Sequence, residues 1–170
     1  TQINNQAESD ISFDRLTEQI KDNNHANPDI SRIIILNRRG LVRDLYERLK
    51  PKICNLRMLS TDFTPKDRRI ILSQLRDQFT LVSTQVIEAG VDISAREVWR
   101  DIAPLDSIIQ SAGRCNRNSE VTVGHVNLFK LVENGHLAAV PPYDGFLIQT
   151  TQEVLSKYGS LIGEEKYYSL

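Results

Sequence analysis

Residues 31–50 read SRIIILNRRGLVRDLYERLK, and this stretch decides the fold. Its first six residues form a short apolar run of β-branched side chains, which is typical of a strand buried on both faces. A helix is predicted at 40–49, where Pro51 ends it because proline lacks the backbone N–H that a helix needs. The stretch therefore predicts one strand followed by one helix, the repeating unit of an α/β protein.

The same alternation continues along the chain. Further strands are predicted at 54–60, 80–84, 97–103 and 124–132. Further helices are predicted at 105–117, near 149–158, and at 64–78, where Thr64 is a typical N-cap and Pro65 a typical first residue. A short helix is expected after Ser12, and residues 1–12, rich in Asn, Gln and Ser, are expected to be loose or extended. We predict an α/β fold, a three-layer parallel sheet with helices on both faces.

The composition is typical of an ordinary globular protein. The chain has 170 residues, of which 40% are apolar and 25% charged, and its net charge is −1. No apolar run reaches the roughly 20 residues that cross a bilayer, and the first ten residues lack the pattern of a signal peptide. Cys54 and Cys115 have neither metal-ligand spacing nor a disulfide framework, so we expect no metal site and a reduced, cytoplasmic setting. Because no apolar run is long enough to cross a bilayer, we also expect no membrane partner.

Three segments are expected from the change along the chain between polar stretches and stretches rich in apolar residues. Residues 1–30 are predicted to be an N-terminal helix and linker, 31–132 the main lobe, and 133–170 a C-terminal extension. Charge is uneven between them: from Arg38 to Arg76 eleven Lys or Arg face four Asp or Glu. Such a local basic face can bind phosphates, although a solvated helix face with ion pairs is the commoner explanation for the charge alone.

Functional loops of parallel sheets lie at the carboxyl ends of the strands. That rule selects residues 37–40, 60–63 and 85–92. In the segment STQVIEAGVDI, the hydroxyls and amide of Ser83, Thr84 and Gln85 can bind phosphate oxygens, and Gly90 permits a tight turn. The carboxylates of Glu88 and Asp92 can accept from a ribose hydroxyl or pair with an arginine and hold it. A plain turn with exposed acids remains the alternative.

The segment QSAGRCNR, residues 110–117, carries the second pattern. In a helix, Gln110, Arg114 and Arg117 would share one face at its exposed end, where two guanidinium groups repel unless an anion lies between them. A triphosphate fits, because guanidinium forks match phosphate oxygens, and a glutamine can position a water. Two exposed arginines on a surface helix are the alternative, which Gly113 makes less attractive because glycine weakens a helix by about 1 kcal/mol.

These segments carry a resemblance to a known family. VSTQVIEAGVDI followed by APLDSIIQSAGRCNR resembles motifs V and VI of superfamily 2 helicases of the DExH type, and IIILNRRGLVRDLYERLK is similar to the motif IV region. EAGVDI, LSTDFTPKDRR and the AGRCNR segment most resemble the CRISPR-associated type I helicase-nuclease. The resemblance covers about residues 31 to 132 and implies the second RecA-like lobe of such a helicase.

The resemblance implies roles for individual residues. Arg117 is the expected arginine finger, with Arg114 beside it on the γ-phosphate and Gln110, Gly90 and Asp92 at the nucleotide. The residues expected to contact single-stranded DNA are Asn37, Arg38, Ser83, Thr84 and Gln85, together with Glu88, which with Asp92 would couple the two sites. Asp62 stands where the family has a basic residue, so no phosphate contact is expected there.

The chain lacks two motifs that ATP hydrolysis requires. It contains no GxxxxGK[ST] loop and no DExH box, and its three histidines, His25, His125 and His136, are scattered. ATP and Mg²⁺ are therefore expected to bind mainly through a first lobe, which, with a nuclease domain, lies on the same native polypeptide or on a separate subunit. A CRISPR surveillance complex is a further expected partner. A DExH RNA helicase, a restriction-type translocase and a non-catalytic nucleic-acid-binding or docking module remain alternatives.

Overall fold

The fold is known from a computed structural model, which describes residues 2–75, 77–88, 90–117, 123–140 and 142–158. The strands are β1 Gln2–Ser12, β2 Arg32–Ile35, β3 Leu56–Leu59, β4 Thr80–Ser83, β5 Glu97–Asp101, β6 His125–Glu133 and β7 His136–Leu137. The helices are α1 Phe13–Ala26, α2 Arg39–Leu49, α3 Pro65–Ser73, α4 Leu105–Ala112 and α5 Gly145–Tyr158, with a 3₁₀ turn at Gln85–Ile87.

Six strands form a parallel sheet in the order β1-β6-β5-β2-β4-β3, and the short β7 adds antiparallel to β6. The predicted parallel α/β sheet is therefore confirmed. Residues 1–12 were expected to be loose or extended, and residues 2–12 are extended. They also form a strand, which was not predicted, and it pairs along β6 from Gln2 beside His125 to Ser12 beside Val132. Their polar composition gave no strand signal, because the pairing depends on a partner more than a hundred residues away.

Two apolar clusters lie on opposite faces of the sheet, which confirms the three-layer arrangement. Side chains alternate along a strand, so Ile33 and Ile35 enter one cluster and Ile34 the other. The first face is covered by α4, α5 and the 3₁₀ turn, and the second by α1 and α2. Trp99 lies in the second cluster with 6% of its surface exposed.

Local capping signals predicted the beginnings of two helices. The Ser12 side chain accepts a hydrogen bond from the Arg15 N–H at the start of α1. At the start of α3, Thr64 and Asp67 form a capping box in which each side chain accepts from the other residue's backbone N–H. The end of α3 was predicted less well: the helix stops at Ser73 rather than near residue 78.

The end of α4 corrects the sequence analysis. The helix ends at Ala112 instead of residue 117, and Asn116 has a left-handed backbone with φ of 51°. The segment leaves the helix because it pairs with the chain entering β5: the Ala95 N–H donates to the Arg114 carbonyl, and the Asn116 N–H donates to the Ala95 carbonyl. The predicted single helical face for the two arginines and the glutamine is therefore wrong.

The N-terminal and C-terminal segments take part in the same sheet and clusters. Ile11, Leu16 and Ile20 lie in the second cluster, and Ile148 and Leu155 of α5 lie in the first. The division at residues 31 and 133 stays a prediction. Over the described residues, every helix is too short or too polar to traverse a bilayer.

Candidate nucleotide and nucleic-acid site

A groove opens at the carboxyl ends of β2, β3 and β4, where parallel sheets place functional loops. We call it the carboxyl-end groove; its volume is about 590 Å³. Its lining consists of Asn37, Arg38, Arg39, Gly40, Arg43, Thr61, Asp62, Thr84, Gln85 and Pro142. Four of the residues expected to contact nucleic acid therefore meet in one cavity: Asn37, Arg38, Thr84 and Gln85.

Three arginines make one wall of the groove basic. Arg38 donates from Nε to the Ala138 carbonyl at 2.9 Å and pairs through Nη2 with Glu133 at 3.0 Å. Arg39 and Arg43 are well exposed, one helical turn apart at the start of α2, and both face Asp62, at 2.5 Å and 3.8 Å. Arg39 and Arg43 were not predicted as site residues, because the helix was expected to begin at residue 40 and their spacing of one turn appears only in the observed α2.

Thr84 and Gln85 bring polar atoms to the groove, whereas Ser83 does not. The Thr84 Oγ1 and Gln85 Oε1 atoms are buried and have no hydrogen-bond partner among the described residues. The Ser83 hydroxyl is wholly buried and donates to the Thr84 carbonyl at 2.9 Å. Buried polar atoms usually have partners, so these two oxygens are unusual, although both are covered from solvent as the groove stands.

Glu88 lies below the groove instead of lining it. Its carboxylate is buried against Arg100 Nη2 at 2.8 Å, and it also accepts from the hydroxyls of Ser107 at 3.0 Å and Ser111 at 3.1 Å. Arg100 is fully buried in the middle of the sheet. Of the two possibilities named for this acid, a ribose hydroxyl or an arginine, the structure has the arginine, and it is one that was not predicted from the sequence.

Asn37 connects Arg100 with the groove. Arg100 Nη1 donates to Asn37 Oδ1 at 2.6 Å, and Asn37 Nδ2 donates to Asp101 Oδ2 at 2.7 Å. Asp101 is fully buried and also accepts from the Leu131 N–H at 3.1 Å. Burial raises the pKa of Asp101 to about 7, although the Leu131 N–H and the Arg100 charge oppose that shift.

The arginine pair lies beyond α4, next to the turn that follows the 3₁₀ segment. Arg114 Nη2 donates to the Glu88 carbonyl at 2.7 Å, while its buried Nε has no partner in the part of the chain that the structure describes. Burial lowers the pKa of Arg114, and the nearby Arg117 charge lowers it further. Arg117 is largely exposed and pairs with Asp92 at 3.3 Å. Arg114 is thus less exposed than the sequence analysis expected.

The remaining predicted residues surround this pair. Gly90 is exposed with φ of 70°, the left-handed conformation for which glycine is suited, so the predicted tight turn is present. Gln110 is exposed on α4, and Asp92 is exposed apart from its ion pair with Arg117. The Arg117 charge acts on Arg114, so the two guanidinium groups lie near each other, and among the described residues Arg114 contacts the Glu88 carbonyl and Arg117 contacts Asp92.

One family model and two curated relatives match parts of this sequence. A family model described as CRISPR-associated nuclease/helicase Cas3, C-terminal, matches residues 29–120, more than half of the chain. This chain belongs to the Cas3 family. Its similarity to the Cas3 of Haloferax volcanii is 53% identity over 68 residues, which cover 36% of this chain and 7% of that protein. Its similarity to the Cas3 of Methanothermobacter thermautotrophicus is 28% identity over 120 residues, covering 69% of this chain and 13% of that protein.

Solved structures give the same fold. T. fusca Cas3 with ADP matches 94% of this chain and 22% of that chain, with a TM-score of 0.78 and 16% identity. The C-terminal domain of the DEAD-box protein Dbp5 matches 88% of this chain and 79% of that chain, with a TM-score of 0.62 and 19% identity. The fold is thus that of the second RecA-like lobe of Cas3 and DEAD-box helicases, and the predicted family is confirmed. The chain spans only a small part of its Cas3 relatives.

Proposed function

We propose that this chain is the second lobe of an ATP-driven single-stranded DNA translocase that acts in CRISPR interference. In this role Arg117 is the arginine finger, and the carboxyl-end groove holds the DNA backbone. The observation that carries the proposal is the placement of Arg114 and Arg117 side by side at the Gly90–Asp92 turn, on a chain whose relatives are Cas3 proteins. T. fusca Cas3 has been solved with ADP, ATP and AMPPNP, which supports nucleotide binding by a full-length protein of this kind.

The donor set at the arginine pair fits a triphosphate. Two adjacent guanidinium groups repel each other, and an anion between them removes that repulsion. Arg114 still has an unpartnered Nε–H among the described residues, and Arg117 has an exposed fork. Magnesium at nucleotide sites is held by one or two carboxylates together with the phosphates. Because this chain lacks the GxxxxGK[ST] loop and the DExH box, the proposal assigns the ion and most of the nucleotide contact to a first lobe.

The pairing of Arg117 with Asp92 is compatible with a finger that moves. Both side chains are largely exposed, and exposed ion pairs contribute only about 0–1 kcal/mol. A phosphate with more charge than a carboxylate can replace Asp92, after which the arginine stabilises the charge that develops as bound ATP is hydrolysed. Arg114 stays held by the Glu88 carbonyl and keeps its charge beside the finger. Gln110, exposed on α4, would orient the attacking water.

Single-stranded DNA fits the groove by charge and by polar atoms. Arg38, Arg39 and Arg43 offer guanidinium groups to successive phosphates, and Thr84 and Gln85 offer polar side chains at the floor. Asp62 occupies two of the arginines in the absence of DNA. We expect binding by the chain alone to be weak and to fall steeply with salt, because it depends on phosphate neutralisation.

A non-catalytic module remains the second candidate, because Arg117 already has a partner in Asp92 and could keep that salt bridge without ever contacting a nucleotide. The test is to add the first lobe of a Cas3 relative in trans and measure ATP turnover with single-stranded DNA. Arg117→Ala should lower turnover by about a thousandfold or more, as arginine fingers do elsewhere. Arg48→Ala, which removes another largely exposed arginine paired with Asp14, should change turnover little. DNA binding without turnover, indifferent to Arg117, favours the module.

A further inference from the structure

Arg100 links the carboxyl-end groove to the arginine pair. Its Nη1 atom donates to Asn37 at 2.6 Å, and its Nη2 atom contacts Glu88 at 2.8 Å. Asn37 lines the groove, and the backbone carbonyl of Glu88 accepts from Arg114 at 2.7 Å. Polar contacts thus lead from the expected DNA contact, through Arg100 and the covalent frame of Glu88, to the residue beside the expected finger.

The link requires the planar fork of an arginine. Two nitrogens of one guanidinium group reach partners that belong to different loops: Asn37 follows β2, and Glu88 follows the 3₁₀ turn after β4. A lysine keeps the charge but has a single nitrogen on a flexible stem, so it cannot hold both partners in the same plane. A second contact, from Nη2 to the Tyr143 hydroxyl at 3.4 Å, lies beside Pro142 of the groove lining.

A purely stabilising role explains this residue poorly. Arg100 is wholly buried, yet its Nε has no hydrogen-bond partner within the described ranges. Burying an ion pair costs desolvation energy that apolar side chains of the same volume would avoid. An incompletely satisfied cation in the middle of a sheet is therefore expensive to keep, which favours a role in positioning its neighbours.

We propose that Arg100 is a positioning residue that transmits occupancy of the carboxyl-end groove to Arg114. DNA phosphate at the groove competes for or reorients the Asn37 amide. Arg100 follows because its Nη1 bond is to that amide, and the Glu88 turn, which holds Arg114, follows through the salt bridge. Hydrogen-bonded networks with discrete arrangements are the physical means by which two sites influence each other. This inference rests on the proposed DNA-binding role of the groove.

The test follows two sets of NMR signals from the 170-residue chain during titration with a short oligodeoxythymidylate. Backbone amides of Arg39 and Gly40 report on the groove, and the Nε–H of Arg114, which is buried and should exchange slowly, reports on the arginine pair. In the unaltered chain both should shift with the same midpoint. In Arg100→Lys the groove signals should shift with an affinity within about threefold, whereas the Arg114 signal should lose most of its response.

Two further variants keep the test decisive. Arg32→Lys alters the other buried arginine–glutamate pair, which lies at the amino ends of the strands. This variant should leave the Arg114 response intact even if it lowers stability. Glu88→Gln removes the charge that pairs with Arg100 and keeps the side-chain shape, so it should weaken the Arg114 response. It replaces Arg100→Lys as the test if that variant does not fold.

The outcomes separate the two proposals. A groove that binds DNA while Arg114 stays silent, or an Arg114 response that survives Arg100→Lys and Glu88→Gln, overturns the link and leaves the DNA-binding role standing. A groove that does not respond to DNA overturns both. A normal Arg114 response combined with ATP turnover that ignores Arg117 overturns only the translocase proposal.

Discussion

The sheet contains one buried arginine–glutamate pair near the amino ends of its central strands, which we call the amino edge, and another near their carboxyl ends, which we call the carboxyl edge. The pairs differ in how many of the arginine's nitrogens have hydrogen-bond partners. At the amino edge, Arg32 contacts Glu97 at 2.9 Å and also donates to Asn23, Asn24, and the carbonyls of Ile30 and Asn27. At the carboxyl edge, Arg100 contacts Glu88 but leaves its Nε without a described partner. The first pair thus ties several loops together, whereas the second leaves one buried nitrogen of its arginine without a partner among the described residues.

Loss of the amino-edge arginine should have the largest effect on stability. Arg32→Met leaves Glu97 buried without its cation and several acceptors without a donor, so we expect a loss of about 3–5 kcal/mol in the free energy of unfolding. Glu97 and Glu88 each keep two other hydrogen-bond donors, but Arg100→Met should cost less, because Arg100 donates to fewer acceptors than Arg32 does. Urea unfolding followed by circular dichroism measures both. Equal losses would show that the two edges do not differ in the way described.

The buried acid beside Arg100 should give the carboxyl edge a pH dependence. Because the folded pKa of Asp101, about 7, lies above the unfolded value of about 3.9, the folded state binds the extra proton between those values. This group's contribution to stability is therefore full below about pH 4 and is lost as pH rises to 7, at up to about 1.4 kcal/mol per pH unit.

Thermal unfolding of the unaltered chain and of Asp101→Asn between pH 5 and 8 measures that contribution as a difference. Asparagine does not titrate, so the difference in stability between the two proteins should change with pH. A difference that is constant over this range contradicts the raised pKa.

Removing the acid from the groove should strengthen DNA binding. Asp62→Asn frees Arg39 and Arg43 and removes a charge that repels phosphate, so affinity for oligodeoxythymidylate should rise about three- to tenfold at low salt, with a steeper salt dependence. Fluorescence anisotropy measures it. Asp44→Asn, on the same helix as Arg39 and Arg43 but outside the lining, is the matched control and should have a smaller effect. Equal effects would point to general charge instead of the groove.

The smallest expected effect concerns the turn at the arginine pair. Gly90→Ala places a side chain on a backbone with φ of 70°, which should cost about 1 kcal/mol although nothing lies within 4 Å of the added atom. Gly40→Ala, in the first turn of α2 with equally open surroundings, should instead be neutral or stabilising. Differential scanning calorimetry distinguishes them, and a harmless Gly90→Ala would contradict the strained turn.

The fold was predictable from sequence wherever the signal is local. The buried run at 31–36, the Thr64 cap and Pro65 each specify their own element, and the structure confirms them. The strand at residues 2–12 and the end of α4 depend on distant partners, β6 and Ala95, which no local pattern reveals. Propensity is a weak guide where such pairing decides the structure.

The candidate site was predictable in its motifs but not in its connections. The sequence indicated the arginine pair and the loops at strand ends, and its resemblance to a helicase family supplied their expected roles. It did not reveal Arg100, because a charged residue inside an apolar strand says only that a partner exists. That partner, Glu88, belongs to a different loop and meets Arg100 only in the folded chain.

Strand β5 also has a mechanical consequence. The bridge between Ala95 and Cys115 lies just before β5, and Arg100 lies within β5. Because β5 is hydrogen-bonded to β2 on one side and β6 on the other, it is a stiff part of the sheet. The segment that carries Arg114 and the buried Arg100 therefore adjoin the same stiff strand, so a rotation of the lobe against a neighbour would carry both together.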